Sequence, residues 1–210
     1  MNIRRIGVLL PALLIVGLVV AACGGGGATP TPVVVTKEVV VTPTPAGPPI
    51  KIGIPYGLSS IASVYTRGAV KGHNLAVAEI NAAGGVLGRP FELVVRETNL
   101  RPDIAVQVVQ QMVDGGVEFI VGTISSGVAQ AISGFAKDNK IIFIDTIAQA
   151  SGTTAEAGHR YVFRTTTNTV IVGRALAGVM AQRPETRYVT IGPDYSFGHD
   201  SVNDFLSKLR

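Results

Sequence analysis

The 210-residue chain has no tryptophan, only 6% aromatic residues and a single cysteine, Cys23. One cysteine cannot form an intramolecular disulfide, so the fold must rest on its core. Charged residues are 15% of the chain, and 18 basic against 14 acidic side chains give +4. Arg4 and Arg5 lie in a segment expected to be removed, which leaves 16 − 14 = +2. No Lys/Arg cluster is interleaved with aromatics, so nucleic acid is not an expected partner. Enzymatic motifs are missing too. The first strand is followed by Gly53-Ile-Pro-Tyr-Gly57, not the GxGxxG of a dinucleotide site. There is no GxxxxGK[ST], no HExxH, no GxSxG elbow and no ordered Ser/His/Asp set. The three histidines, His73, His159 and His199, are isolated and read as surface residues. Neither an enzyme nor a cofactor or metal is expected.

Hydrophobic residues make up 47%, rich in Ala, Val, Ile and Gly. Met1–Arg5 is a short basic stretch, and Ile6–Val20 is an apolar run broken only by Pro11 and Gly17. It is shorter than the roughly 20 residues of a membrane span and fits a signal peptide. It ends in Val20-Ala-Ala-Cys23, which resembles the bacterial lipobox; the plainer alternative is an ordinary signal peptide before an incidental cysteine. The lipobox reading makes 1–23 a lipoprotein signal, with Cys23 acylated and the protein held by lipid on the outer face of the cytoplasmic membrane. Residues 24–49 open with four glycines and hold two Thr-Pro-Thr-Pro repeats and two Val triplets. Flanking prolines argue against a central strand, and the segment reads as a spacer.

From Ile50 onward, strands and helices alternate. Strands are expected at Ile50–Pro55, Phe91–Arg96, Phe119–Val121, Ile141–Ile144, Tyr161–Thr165 and Tyr188–Ile191. Tyr56–Val64 is expected to be a loop. The next helix, Ala69–Ala83, would place Ala69, Gly72, Ala76, Ile80 and Ala83 on a face that approaches a sheet closely. Pro102 opens a helix with Ala105, Val108, Val109 and Met112 inside. Val128, Ile132 and Phe135 mark another helix ending near Asn139. Asn168 would cap a helix reaching Gln182, and a last helix starts at Phe197. The alternation implies an α/β fold with a doubly wound, Rossmann-like parallel sheet whose strands are covered on both faces.

Within Phe119-Ile-Val-Gly-Thr-Ile-Ser-Ser-Gly, Ser125 and Ser126 stand where a helix begins. A strand, a tight Gly/Ser turn and a helix N-terminus suit an anionic group. The bland reading is that Ser126 only caps the helix.

Gly68, Gly72 and the run Leu75-Ala-Val-Ala-Glu-Ile-Asn-Ala-Ala-Gly-Gly-Val-Leu-Gly88 resemble the type I periplasmic solute-binding proteins of ABC transporters, in the branched-chain amino acid group. Phe119-Ile-Val-Gly, Phe163-Arg-Thr and Gly192-Pro-Asp-Tyr-Ser-Phe-Gly198 support the resemblance, which covers Ile50–Arg210. It implies two Rossmann-like lobes closing on a small solute by a hinge. Residues 50–187 would hold most of the first lobe and its connection, and 188–210 the start of a second. The family continues beyond this point, and the uncapped end at Lys208-Leu-Arg210 reads as a cut.

The resemblance also implies site residues. Ser126, with Ser125 beside it, would hold a ligand carboxylate. Ile147 and Gln149 fall on the loop after the fourth strand, where Gln149 replaces a usual threonine. Tyr65 falls on the first loop, and Phe197 on the lid position, keeping the ring without the hydroxyl. The family's acidic partner for a ligand amine would lie beyond Arg210. Plainer alternatives are a surface position for Tyr65, lobe core for Phe197 and solvation for Gln149. Ser125 and Leu100 stand where some members have a cysteine pair. The implied partners are a small solute (an amino acid, amide or carboxylate), a transporter permease and, through the anchor, the membrane. The same cleft would serve a tethered sensor uncoupled from transport.

Overall fold

In the computed structural model, residues 46–209 are described; the expected signal segment, Cys23 and the expected spacer up to residue 45 lie outside them. Five strands form one parallel sheet: β1 Ile50–Tyr56, β2 Phe91–Glu97, β3 Val117–Val121, β4 Ile142–Asp145 and β5 Val162–Arg164, in the order β2-β1-β3-β4-β5. The helices are α1 Ser63–Ala82, α2 Pro102–Asp114, α3 Ser126–Asn139, α4 Thr169–Met180 and α5 Ser196–Leu209. The expected doubly wound α/β architecture is therefore present.

Strand order reverses between β1 and β3. Right-handed crossovers then send α1 to one face and α2 and α3 to the other. The core lies under α2 and α3. Ala105, Val109 and Met112 of α2 and Val128, Ile132 and Phe135 of α3 pack with Ile120, Phe143 and Val162, a row of three side chains in register across β3, β4 and β5. The alternate residues point the other way. Phe119 pairs with Ile142, and Val121 with Ile144, which pairs in turn with Phe163; all are only partly covered, and Phe163 is 51% exposed. Among the described residues this sheet is thus closed on one face of β3–β5, not on both as expected.

The first helix differs most from expectation. It starts at Ser63, so Tyr65 is on a helix and not in a loop. Its covered side runs through Ala62, Thr66, Val70, His73 and Val77, while Gly72, Ala76 and Ala83 are exposed. A Cβ built on Gly68 or Gly72 meets nothing within 4 Å, so these glycines do not serve close approach to the sheet. The covered face lies about one position from the expected one because it takes in Thr66 and His73, whose polar atoms find partners in Gly57 and Tyr56. Thr66 is fully buried, its hydroxyl donating to the Gly57 carbonyl at 3.1 Å.

The other helices follow the sequence closely. Asn168 caps α4, its Oδ1 accepting from the Ile171 N–H at 3.0 Å. Helix α4 packs mainly against α5, where Gly173 lets the Phe205 backbone approach: a Cβ there would lie 2.8 Å from the Phe205 nitrogen. Tyr188–Ile191 forms no strand; Val189 and Ile191 are 91% and 97% exposed. Strand propensity alone does not make a strand without a neighbour to complete the ladder. Two histidines are not the surface residues expected. His73 stacks on buried Tyr56 and bonds its hydroxyl at 3.2 Å, and His159 bonds the Ser133 carbonyl at 2.9 Å. His199 is exposed beside Asp194.

Candidate functional site

The carboxyl ends of β1, β3 and β4 meet at the point where strand order reverses, the usual place for a ligand crevice in such sheets. Gly122 closes β3 with φ +139°, a conformation that L side chains rarely adopt; a Cβ there would also press to 3.3 Å from the Tyr56 ring. The chain then turns through Thr123 and Ile124 into α3.

The serines divide the work differently from expectation. Ser125, not Ser126, is the N-cap, and its side chain makes no capping bond. Ser126 is the first helical residue, 1% exposed, and its Oγ accepts the Ala150 N–H at 3.1 Å. An oxygen that accepts from Ala150 still has its own proton to donate. The first N–H groups of α3 have no intrahelical acceptor and add positive partial charge beside that hydroxyl. The arrangement presents hydrogen-bond donors at the mouth of the sheet and can bind an anionic group.

The loop after β4 is fixed from several sides. Asp145 Oδ1 accepts from the Ala148 N–H at 3.0 Å, and that N–H also reaches the Thr123 carbonyl at 3.1 Å. Arg164, at the end of β5, donates Nη1 to the Ala148 carbonyl at 2.9 Å and Nη2 to the Ala150 carbonyl at 2.7 Å. Its Nη2 lies 3.3 Å from Asp145 Oδ2, with both side chains nearly out of water. Burial pushes the Asp145 carboxyl up to about 7, against the opposing pull of the Arg164 guanidinium and the Ala148 and Ile147 N–H groups. Gln149 is half-buried, its carboxamide donating to Thr167 Oγ1 at 3.4 Å.

A hollow of about 340 Å³ opens here, lined by Tyr65, Ile124, Ser126, Ile147, Gln149, Tyr195 and Phe197. Five of the six residues expected to contact ligand therefore share one wall system; Ser125 lines an adjoining hollow instead. Tyr195 and Ile124 were not expected. Tyr195 stands two residues before Phe197, and the two rings pack with centroids 6.2 Å apart. Burial raises the Tyr195 phenol, so it remains neutral and acts as an apolar wall with one polar tip. It was legible only as part of the Gly192–Gly198 motif. Among the described residues no group of three His, Cys, Asp or Glu is placed to hold a metal.

A parallel α/β sheet with a donor-lined hollow at its reversal point, and aromatic rings from a later segment across it, defines a small-molecule binding domain. Residues 49–210 match the periplasmic binding protein family, and the chain belongs to that family. It is 31% identical over 117 residues to the Leu/Ile/Val-binding protein of Escherichia coli K12, covering 56% of this chain and 32% of that one. To the Leu/Ile/Val-binding protein of Citrobacter freundii it is 29% identical over 165 residues, 77% of this chain and 45% of the other. The crystal structure of an ABC transporter substrate-binding protein from Desulfitobacterium hafniense, in complex with Leu, superposes with a TM-score of 0.66 at 25% identity, covering 78% of this chain and 47% of that one. The chain thus spans between about a third and a half of the length of these relatives. The relatives are substrate-binding proteins, not members of an enzyme class.

Proposed function

We propose that this chain captures a small carboxylate-bearing solute outside the cytoplasm for an ABC transporter permease, without catalysing a reaction. Branched-chain amino acids are the first candidates, given the names of the relatives. The observation that carries the reading is Ser126. It is buried, it is held by the Ala150 N–H, and it keeps a free donor at the start of α3 on the wall of the hollow.

The mechanism follows from the two sides of the hollow. Ser126 and the α3 N-terminus bind the carboxylate, and Ile147 and Gln149 border it. Tyr195, just before α5, and Phe197, in its first turn, cover it by hinge closure. Gln149 offers both an amide donor and an acceptor, which suits an amine or amide on the solute. Acylation at Cys23 would hold the domain at the membrane surface. Among the described residues no helix is long and apolar enough to cross a membrane.

Calorimetric titration of the full chain with leucine, isoleucine, valine and their amides tests the solute class. The reading expects saturable binding of the acids, weaker binding of the amides and no turnover of either. Equal affinity for acids and amides would contradict a carboxylate site. For the anchor, Cys23→Ala should move the protein out of the membrane fraction; unchanged membrane association with a cleaved N-terminus would contradict lipidation.

A further inference from the structure

Helix α5 meets the loop after β4 through two carboxylates. Asp204 Oδ2 accepts the Ser151 hydroxyl at 2.9 Å and the Thr169 hydroxyl at 2.6 Å. Asp200 Oδ2 accepts the Gly152 N–H at 3.0 Å and lies 3.4 Å from Ser151 Oγ. The donors are themselves fixed. Ser151 and Thr169 are 6% and 2% exposed, the Ser151 N–H donates to Thr169 Oγ1 at 3.0 Å, and the Thr169 N–H donates to the Gln149 carbonyl at 2.9 Å. Phe197, Asp200 and Asp204 follow one another at spacings of three and four, so they share one face of α5. That face turns a ring to the hollow and two carboxylates to the loop beside it.

The loop partner is the stretch that holds Ser126. Ala150 donates to Ser126 Oγ, and the next two residues, Ser151 and Gly152, donate to α5. Among the described residues neither carboxylate forms a salt bridge. A Cβ on Gly152 would lie 3.5 Å from both Asp200 Oδ2 and Glu156 Oε2, so a third carboxylate is near. Charge-assisted hydrogen bonds favour the contact, and the crowding of like charges opposes it. On parting, each of these bonds is exchanged for one to water, so the junction can open and reform.

We infer that Asp200 and Asp204 are positioning residues that clasp α5 to the Ser151–Gly152 turn while Tyr195 and Phe197 lie over the hollow. The inference rests on the proposed solute capture. Neither carboxylate lines the hollow, so neither touches the solute. Both act on the fraction of molecules whose hollow is covered, and a solute held by that form binds more weakly as the fraction falls. The loss appears as faster release.

The test is a distance measured without solute, joined to a titration. Spin labels on Lys137→Cys and Asn203→Cys, exposed positions of α3 and α5, report where α5 sits in a full chain carrying Cys23→Ala. Asp204→Ala should deplete the short distance that the parent shows. It should also weaken leucine at least about fivefold, with the association rate within about twofold. Asp204→Asn keeps an oxygen for both hydroxyls and should restore both readouts. Ser151→Ala removes a donor from the other side, should reproduce the loss, and carries the test if Asp204→Ala does not fold. Unchanged distances in Asp204→Ala and Ser151→Ala overturn the clasp, as does a loss that Asp204→Asn shares in full. If the distances respond but leucine does not bind the parent, the solute reading falls and the clasp stands; if leucine binds and the distances stay fixed, only the clasp falls.

Discussion

Arg164 Nη2 sits 3.3 Å from Asp145 Oδ2, yet the guanidinium aims its hydrogen bonds at the Ala148 and Ala150 carbonyls. The pair is a brace for the loop that carries Ile147 and Gln149, and not a bidentate fork. Ala150 in turn donates to Ser126. Arg164→Met would strand a buried carboxylate and two carbonyls. Losing one partner of a buried pair costs about 3–5 kcal/mol. Denaturant unfolding at pH 8 should show a loss of that size. The loss should shrink at pH 5, where Asp145 takes up a proton. A loss under 1 kcal/mol at pH 8 would show that the loop holds without the brace.

The Asp145 carboxyl sits at about 7 in the fold, above its ordinary 3.8. A raised carboxyl binds its proton more tightly folded than unfolded. Its contribution to stability is therefore full below 3.8 and fades as pH rises to about 7. Asp145→Asn keeps an acceptor for the Ala148 N–H and removes the titration. The stability difference between wild type and Asp145→Asn should fall steadily between pH 4 and 7 and level off above. A difference that does not change over that window would contradict the raised value.

Glu97 has the opposite sign. Burial pushes it up, but hydrogen bonds from the Asn99 N–H, the Ser59 hydroxyl and the Ser59 and Leu58 N–H groups outweigh that and lower it. Its stabilising effect is present above 4.5 and is lost as pH falls through the lowered value. These bonds hold the loop leading to Ile61 and α1. Glu97→Ala should cost on the order of 1 kcal/mol. It should also speed hydrogen exchange at Leu58, Ser59 and Asn99; unchanged exchange there would mean the loop is held by other contacts.

The parts that local chemistry determines were legible. The core of α2 and α3 follows from Ala105, Val109, Met112, Val128 and Ile132, and the α4 start from Asn168. What required the third dimension was missed. The covered face of α1 includes Thr66 and His73, whose partners Gly57 and Tyr56 are distant in sequence. Arg164 stands out in the sequence only within the Phe163-Arg-Thr motif, with no sign of Asp145 as its partner, and the parallel pairing of β4 with β5 brings the two together. Ser126 was singled out as a helix start, but its acceptance of the Ala150 N–H depends on the same loop geometry. Tyr188–Ile191 has strand composition with no strand beside it.

Ser126 is the most direct test. Ser126→Ala leaves the buried Ala150 N–H without its acceptor, which costs about 1–3 kcal/mol of stability. Ser125→Ala removes a hydroxyl that makes no capping bond, so its cost should stay under about 0.5 kcal/mol. Binding separates contact from collapse when an acid and its matching alcohol, such as isovalerate and isoamyl alcohol, are titrated into both variants. If Ser126 donates to a carboxylate, Ser126→Ala weakens the acid at least tenfold, about 1.4 kcal/mol, and leaves the alcohol within threefold. Ser125→Ala leaves both within threefold. Equal losses for acid and alcohol in Ser126→Ala would show a disturbed loop in place of a lost carboxylate contact, and would contradict the proposed site.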